Sequence, residues 1–279
     1  MSAQEAAFEL SMAGLHGSIR FAFSSGGERD TIAALVRANG LASYEAPTPA
    51  MFASLAGEAE GVVLDIGANT GIYSLLAAAA SPTARVCAFE PVADARELLL
   101  ANLALNHDLA LRIVVECRAL SSVCGTLPFF ETINDRGFVS TSSTLELGHA
   151  MRVGEHVRRD IATETLDRWA AASDTGPIRL VKMDVEGHEH AVLEGGRRVM
   201  DQHRPFIVAE MLGGADFTAL NRILREDGYR DFALAPNAAR ECAMLRFHPD
   251  AWNHLLCPVE KAGRISLLCE QLDFPLESG

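Results

Sequence analysis

A run of apolar, mostly β-branched residues at 62–66 contains Asp65 and leads directly into a turn with Gly67, Asn69 and Gly71. Such a run predicts a buried strand, and the small residues predict a tight loop at its carboxyl end. The spacing differs from the G-x-G-x-x-G loop that lines a pyrophosphate, and a carboxylate at this corner would repel phosphate. Asn is among the few residues other than glycine that tolerate a left-handed backbone. A cationic or zwitterionic nucleoside fits such a corner better, and S-adenosylmethionine is one.

A second carboxylate follows at the end of the next predicted strand. Residues 85–89 form another apolar run, which ends at Glu90 and Pro91. In a βαβ unit, an acid about twenty residues beyond the glycine loop reaches the ribose hydroxyls of a nucleoside. Pro91 lacks an amide hydrogen, so it closes the strand and can open a helix. The competing interpretation is an ordinary exposed acid at a strand end.

The third group is the densest in ionisable side chains. Asp184, Glu186, His188 and Glu189 follow the apolar run 178–183 at a predicted strand-to-helix turn. Crowded acids have pKa values that are pushed apart, which suits general-base chemistry. A helix N-terminus also favours neutral imidazole, which can accept a proton near pH 7. The competing interpretation is a surface turn whose acids cap a helix.

The elements that position these groups alternate along the chain. Alternating strands and helices in residues 59–279 predict a doubly wound, mostly parallel α/β sheet in one domain. We expect residues 231–234 and 254–258 to pair as an antiparallel hairpin at the sheet edge. The Ser/Thr-rich stretch 125–154 predicts an irregular or hairpin-containing insertion near the mouth of the site. Residues 1–58 show short helical patterns, which predict a helical N-terminal cap.

Composition excludes several classes of partner. The net charge of −13 disfavours nucleic acid, whose binding depends on clustered Lys and Arg. No window approaches the length of a membrane span, and the acidic N-terminus does not resemble a secretory signal. The six cysteines show no C-x-x-C spacing, so we expect free thiols in a reducing compartment and no zinc site. The protein is therefore predicted to be cytoplasmic, and its oligomeric state, a homodimer included, stays open.

Taken together, the segments 65–74, 89–91 and 182–189 resemble the three signatures of the FkbM-family methyltransferases, in the same order and with similar gaps. The resemblance covers about residues 44–258. It implies a Rossmann-like class I methyltransferase fold and S-adenosylmethionine as cofactor. It also implies O-methylation of a hydroxyl on a small molecule, such as a sugar, a polyketide or another secondary metabolite.

The same resemblance assigns roles to individual positions. The glycine loop would enclose the methionine end of the cofactor, Glu90 would bind the ribose, and Ala119 and Leu120 would lie against adenine. The full set of predicted cofactor contacts is Asp65, Gly67, Ala68, Asn69, Gly71, Tyr73, Ser74, Glu90, Pro91, Ala119, Leu120 and Asp184.

For catalysis, we predict in-line displacement with His188 as general base, and with Glu186 or Asp184 orienting or replacing it. Glu189 and Glu210 are predicted to bind the acceptor. A divalent metal on Asp184, Glu186 and Glu210 is an alternative that we do not favour, because the spacing dictates no ligand set. N-methylation of an amine, a nicotinamide-dependent oxidoreductase and a non-catalytic nucleoside-binding protein are the rival functions.

Overall fold

The computed structural model of the protein describes residues 7–133, 137–173 and 176–278. Strands β1 (Ala7–Gly14) and β2 (Gly17–Ser24) form an antiparallel hairpin, and helices α1 (Thr31–Asn39) and α2 (Thr48–Gly57) follow. The helical cap predicted for the N-terminal region therefore needs correction, because it holds only for α1, α2 and their connection. The hairpin forms because buried residues alternate with exposed ones, as period-two patterning requires. These buried residues are Leu10, Met12, Ile19, Phe21 and Phe23.

Beyond α2, strands and helices alternate around a sheet of nine strands. The elements in chain order are β3 (Val62–Ile66), α3 (Ile72–Ala80), β4 (Arg85–Phe89), α4 (Ala93–Ala104), α5 (His107–Ala110), β5 (Ile113–Glu116), β6 (Ala119–Leu120), β7 (Gly125–Thr132), α6 (Leu147–Val153), β8 (His156–Glu164), α7 (Leu166–Ser173), β9 (Ile178–Met183), α8 (Glu189–Glu194), α9 (Arg197–His203), β10 (Phe206–Glu210), α10 (Phe217–Asp227), β11 (Tyr229–Ala235), β12 (Ala238–Cys242), β13 (Asn253–Pro258), α11 (Ala262–Gln271) and β14 (Leu276–Ser278).

The strand order in the large sheet is β14-β12-β11-β13-β10-β9-β3-β4-β5. Strands β10, β9, β3, β4 and β5 are parallel, and β13 is antiparallel to both of its neighbours. The predicted doubly wound, mostly parallel sheet is thus confirmed. The predicted antiparallel pairing of residues 231–234 with 254–258 is also confirmed, although this pair does not lie at the edge. Strands β12 and β14 extend the sheet beyond it.

The central strands are apolar along their whole length because both faces of the sheet are covered. Alternate residues enter two separate cores. Val63 and Leu180 pack with α2, α3 and the N-terminal hairpin on one face. Leu64 and Val181 pack on the other face, with Trp169 of α7. The order of the strands along the chain reverses between β3 and β9, and ligands of open α/β sheets bind at the carboxyl ends of strands around such a point.

The segment between β5 and β9 forms a second, smaller sheet with the order β6-β8-β7. Strands β7 and β8 pair antiparallel from Gly125–Thr163 to Thr132–His156, so the predicted insertion does contain a hairpin. Helix α6 lies between these two strands in the chain. The part of the insertion at residues 134–136 lies outside the described residues.

Within the described parts of the chain, no helix combines the length and the apolar character that a membrane span needs.

Candidate functional site

A cavity of about 890 Å³ opens at the carboxyl ends of β3, β4, β9 and β10. Its volume is within the range of pockets that hold a cofactor and a small substrate. Ten of the residues predicted from the sequence line this cavity. They are Gly67, Asn69, Glu90, Pro91, Ala119, Leu120, Asp184, Glu186, His188 and Glu210.

Six other predicted residues do not line the cavity: Asp65, Ala68, Gly71, Tyr73, Ser74 and Glu189. Asp65 is buried and accepts a 2.6 Å hydrogen bond from the Ser74 hydroxyl, behind the glycine loop. Burial raises its pKa to about 6, against the lowering effects of Ser74 and Lys182. The Tyr73 hydroxyl donates to Glu45 at 2.9 Å. Ser74 and Tyr73 therefore bond to other side chains of the protein, and neither residue lines the cavity.

The glycine loop after β3 needs glycine for two reasons. Gly67 has a φ of +80°, and a Cβ there would lie 1.8 Å from the carbonyl oxygen of Asp184. Gly71 precedes α3 with a φ of +91°. Asn69 takes the left-handed conformation expected for it, with a φ of +47°. Its amide oxygen is buried and has no hydrogen-bond partner among the described residues. Gly67 and Asn69 thus line the cavity, and the buried Asn69 amide oxygen is left without a partner in the described chain.

Glu90 holds two loops together. One carboxyl oxygen accepts from the backbone amide of Asn69 at 2.8 Å, and the other accepts from the amide of Val92 at 2.7 Å. Burial raises the pKa of Glu90 to about 7, although both amides lower it. The carboxyl group faces the cavity from the end of β4, the place at which an acid can meet a ribose. Ribose binding by Glu90 stays a prediction.

The strand-end acids come together as the sequence predicts. Carboxylate oxygens of Asp184, Glu186 and Glu210 lie within 4.8 Å of one another, so they have the geometry of a candidate metal site. Burial and the charge of Asp184 raise the pKa of Glu210 well above its ordinary value. A cation is already near: the fully buried ammonium of Lys182 lies 3.7 Å from Asp184. We did not predict this lysine, although a lone Lys within the apolar run 178–183 signals a buried charge.

His188 occupies the position predicted for it, but both of its ring nitrogens are engaged. Nδ1 lies 2.7 Å from a carboxyl oxygen of Glu146, and Nε2 lies 2.9 Å from the Ser121 hydroxyl. Ser121 is buried and does not line the cavity. The ring therefore cross-links the turn after β9 to the insertion, and neither nitrogen is left to accept a proton from an acceptor.

A second histidine, which we did not predict, lies closer to the acids. His149 of α6 lines the cavity, and its Nε2 is 3.1 Å from a carboxyl oxygen of Glu186. Burial raises the pKa of Glu186, while the nearby imidazole of His149 lowers it in part. Glu186 has a φ of +56°, a conformation uncommon for glutamate that turns its side chain toward the cavity. Glu186 and His149 therefore form a close carboxylate–imidazole pair in the wall of the cavity.

The burial of Glu189 can be tested through the pH dependence of stability. It is fully buried, and it accepts from the backbone amide of Gly187 at 3.2 Å. Burial raises the pKa of Glu189 from 4.5 to about 8. Between these two pH values the folded protein keeps a proton on Glu189, whereas the unfolded chain has lost it. Its contribution to stability is complete below pH 4.5 and is lost as the pH rises through 8. We expect Glu189→Gln to flatten the decline of Tm between pH 5 and pH 8, as measured by calorimetry.

The matched control for this test is Glu260→Gln. Arg204 lowers the pKa of exposed Glu260 to about 2, so its titration lies outside the same pH range. An equal change of slope in both variants would show that burial of Glu189 is not the cause.

The strand order, the left-handed glycine loop and the acids at successive strand ends define a class I methyltransferase. The sequence matches the methyltransferase FkbM domain over residues 65–230, more than half of the chain. The protein belongs to the FkbM methyltransferase family.

Three relatives illustrate the extent of the similarity. Methyltransferase sdnD of Sordaria araneosa is 31% identical over 156 residues, which are 48% of this chain and 59% of the relative. Hexuronic acid methyltransferase AglP of Haloferax volcanii is 29% identical over 170 residues, 61% of this chain and 63% of the relative. The match thus spans less than two thirds of either relative. A segment of 44 residues is 57% identical to part of AMB antimetabolite synthetase AmbE of Pseudomonas aeruginosa, 16% of this chain and 2% of that protein.

Solved structures are similar at a lower level. A methyltransferase FkbM from Methylobacillus flagellatus is 18% identical, with a TM-score of 0.45 over 71% of this chain and 43% of that chain. A SAM-dependent methyltransferase from Agrobacterium tumefaciens is 13% identical, with a TM-score of 0.47 over 91% of this chain and 70% of that chain.

Proposed function

We propose that the protein is an S-adenosylmethionine-dependent O-methyltransferase that acts on a hydroxyl of a small molecule, such as a sugar, a polyketide or another secondary metabolite. Family membership supports methyl transfer. The observation that supports hydroxyl as the acceptor is the pair formed by Glu186 and His149, 3.1 Å apart in the wall of the same cavity as the glycine loop. An alcohol needs such a base more than an amine does, because it is a poor nucleophile that gains from deprotonation.

The cavity residues fit S-adenosylmethionine, which supplies a methyl group on positively charged sulfur when bound. The unused amide oxygen of Asn69 can accept a hydrogen bond from the cofactor. Gly67 lets the ligand approach the backbone closely, because no side chain stands between them. Ala119 and Leu120 line the cavity beyond Glu90 with small apolar surface suited to a planar base.

The residues of the acceptor side then have distinct tasks. Glu186 accepts the hydroxyl proton as the acceptor oxygen forms its new bond to the methyl group. Bound S-adenosylmethionine would supply the methyl group, and its sulfur would keep the electron pair of the methyl–sulfur bond. His149 stabilises Glu186 before transfer and takes up the proton afterwards. Asp184 lies beside Glu186, where its charge favours the sulfonium. Alignment of the two reactants can contribute about 7–11 kcal/mol to the lowering of the barrier.

This assignment moves the general base from His188 to Glu186. His188 bonds to Glu146 and Ser121 with its two nitrogens, so it acts as a positioning residue that fixes the turn after β9. Glu189 is fully buried behind the same turn, and we assign it no contact with the acceptor.

The remaining parts of the proposal rest on composition. Net charge −13 supports a small-molecule acceptor over nucleic acid. All six cysteines are free, which supports a reducing compartment such as the cytoplasm.

Gly67→Ala tests the cofactor part of the proposal. A methyl group there meets the Asp184 carbonyl and forces an L residue into positive φ, a strain of about 1–3 kcal/mol. We expect the affinity for S-adenosylhomocysteine to fall by about tenfold or more, measured by titration calorimetry.

Gly263→Ala is the control, since no atom lies within 4 Å of a Cβ at that glycine in the first turn of α11. If the unaltered, folded protein shows no saturable heat with either S-adenosylmethionine or S-adenosylhomocysteine, the proposed cofactor is refuted.

A further inference from the structure

The cavity is lined by one sign of charge. None of the described lining residues is Lys or Arg, whereas six carry carboxyl groups. S-adenosylmethionine has one net positive charge, from a sulfonium, an ammonium and a carboxylate, so it cannot neutralise this lining. The six acids are Glu45, Glu90, Asp184, Glu186, Glu210 and Asp250.

Most of these acids already have partners within the protein. Glu90 accepts from two backbone amides, as described above. Glu45 accepts from the Tyr73 hydroxyl at 2.9 Å and from the Asn253 side chain at 3.2 Å. Asp250 pairs with Arg240, which lies outside the lining. These three carboxylates are therefore satisfied without a ligand.

Each of two further acids has one basic partner, and the sixth acid has no ion-pair partner in the described chain. Asp184 faces buried Lys182, and Glu186 faces His149. Within the described chain, Glu210 forms neither a hydrogen bond nor an ion pair, although it lies in the acidic cluster. Its carboxyl oxygens lie within 4.8 Å of those of Asp184 and Glu186, so three carboxyl groups crowd this part of the cavity. Lys182 supplies one positive charge to three clustered carboxyl groups, so the acceptor side of the cavity can take a further positive partner.

An independent observation lies next to Glu210. Asn253 is its register partner on β13, so the two side chains stand side by side on one face of the sheet. Asn253 also lines the cavity, and only 5% of its surface is exposed. Its amide nitrogen donates to Glu45, whereas its amide oxygen is buried with no hydrogen-bond partner among the described residues. An orphaned acceptor beside an unpaired carboxylate indicates a missing donor that carries positive charge.

The mouth of the cavity is apolar, in contrast to its acidic interior. Leu35, Val153 and Trp252 all line it, and each is 41–52% exposed. They come from α1, α6 and the loop before β13, so three separate segments contribute apolar surface at one opening. Exposed apolar residues grouped at a pocket mark a binding surface. An acceptor that is polar throughout would leave these apolar side chains exposed to water.

We propose, on the basis of the methyl-transfer function above, that the acceptor is an amine-bearing alcohol with an apolar body. Its ammonium group binds Glu210 and the Asn253 amide oxygen, its hydroxyl meets Glu186, and its apolar part covers the mouth. The acid oxygens lie within 4.8 Å of one another, so an amine and a hydroxyl on neighbouring carbons can reach both carboxylates. A carboxylate-bearing acceptor, such as a hexuronic acid, would be repelled by the six carboxyl groups of the lining.

Three small probes of matched size test this inference: 2-amino-1-phenylethanol, 1-phenyl-1,2-ethanediol and mandelate, which are cationic, neutral and anionic. Each is titrated calorimetrically into the protein saturated with S-adenosylhomocysteine. We expect the amine to bind about 10–100-fold more tightly than the diol, because a charged hydrogen bond contributes about that factor. Mandelate should bind most weakly. Ethanolamine, which lacks the ring, should lose the contribution of the apolar mouth.

Two variants locate the effect. Glu210→Gln should bring the ratio of amine to diol affinity close to one, whereas exposed Glu97→Gln should leave it unchanged. Preference for mandelate or the diol, or no binding of the amine, overturns the inference. If EDTA abolishes binding of the amine and magnesium restores it, the cation at the acids is a metal, which also overturns it. Failure of S-adenosylhomocysteine to bind would instead overturn the proposed function, so the two failures are distinguishable.

Discussion

Glu186→Gln is expected to lower kcat by about 10²–10⁴-fold, the usual contribution of a positioned general base. Glutamine keeps the shape of the side chain and can still bond to His149, but it cannot accept the hydroxyl proton. The Kd for S-adenosylhomocysteine should change little, because Glu186 lies on the acceptor side of the cavity. Single-turnover kinetics with an acceptor that the protein methylates, together with calorimetry for the cofactor, give both quantities.

His188→Gln is the comparison that separates the two histidines. His188 bonds to Glu146 and Ser121, so its loss should reduce Tm and lower kcat less than Glu186→Gln does. His149→Gln should shift the acid limb of the pH dependence of kcat/KM, because the nearby His149 lowers the pKa of Glu186. If His188→Gln proves as inactive as Glu186→Gln while His149→Gln has an unchanged pH profile, the base is His188, as the sequence alone predicts.

The site depends on segments that lie outside the parallel strands. Helix α6 supplies His149, and the residue just before it, Glu146, bonds to His188. The N-terminal region supplies Leu35 and Glu45 to the cavity. The strand ends therefore provide the acids of the site, while the N-terminal region and the insertion contribute further residues to the cavity wall. This division agrees with the general placement of specificity in loops around a rigid scaffold.

The strand-end acids and the glycine loop could be predicted because their signals are local. An apolar run that ends at Asp65 or Asp184, followed by small residues, specifies a strand and its turn within about ten residues. The rule that parallel strands end at one edge then brings Glu90, Asp184 and Glu210 together. No knowledge of side-chain packing is needed for that step.

The partners of those acids could not be predicted, because the contacts that join them are distant in sequence. Glu146 lies 42 residues before His188, and Ser121 lies 67 residues before it. Such pairings depend on how the insertion folds back over the sheet, and its Ser/Thr-rich sequence specifies no unique path. The engagement of both nitrogens of His188 follows from that path. The N-terminal hairpin could have been predicted, because its strands show the alternation of apolar residues in the sequence itself.

The role of Lys182 depends on contacts with several strands, so the local sequence does not reveal it. It is one of two lysines in the chain, and it lies fully buried on β9 between the register partners Asp65 and Val208. Its Nζ lies over the Tyr73 ring at 5.0 Å. Burial lowers its pKa, but the charges of Asp184 and its neighbouring acids outweigh burial and raise it overall. The ammonium is therefore the internal counter-ion of the acidic cluster.

Lys182→Met is accordingly expected to lower the free energy of unfolding at pH 7 by about 3–5 kcal/mol, a large part of the total for a domain. Methionine fills similar volume, so the loss reports the uncompensated charge of Asp65 and Asp184. The penalty should shrink as the pH falls from 7 to 5, because Asp65, whose pKa burial raises to about 6, then gains a proton. Urea denaturation at pH 5 and pH 7 measures this penalty.

Lys261→Met is the control, because Lys261 is the other lysine of the chain and is only partly buried. A loss for Lys182→Met that matches the control, or that is the same at both pH values, would contradict the role of Lys182 as counter-ion.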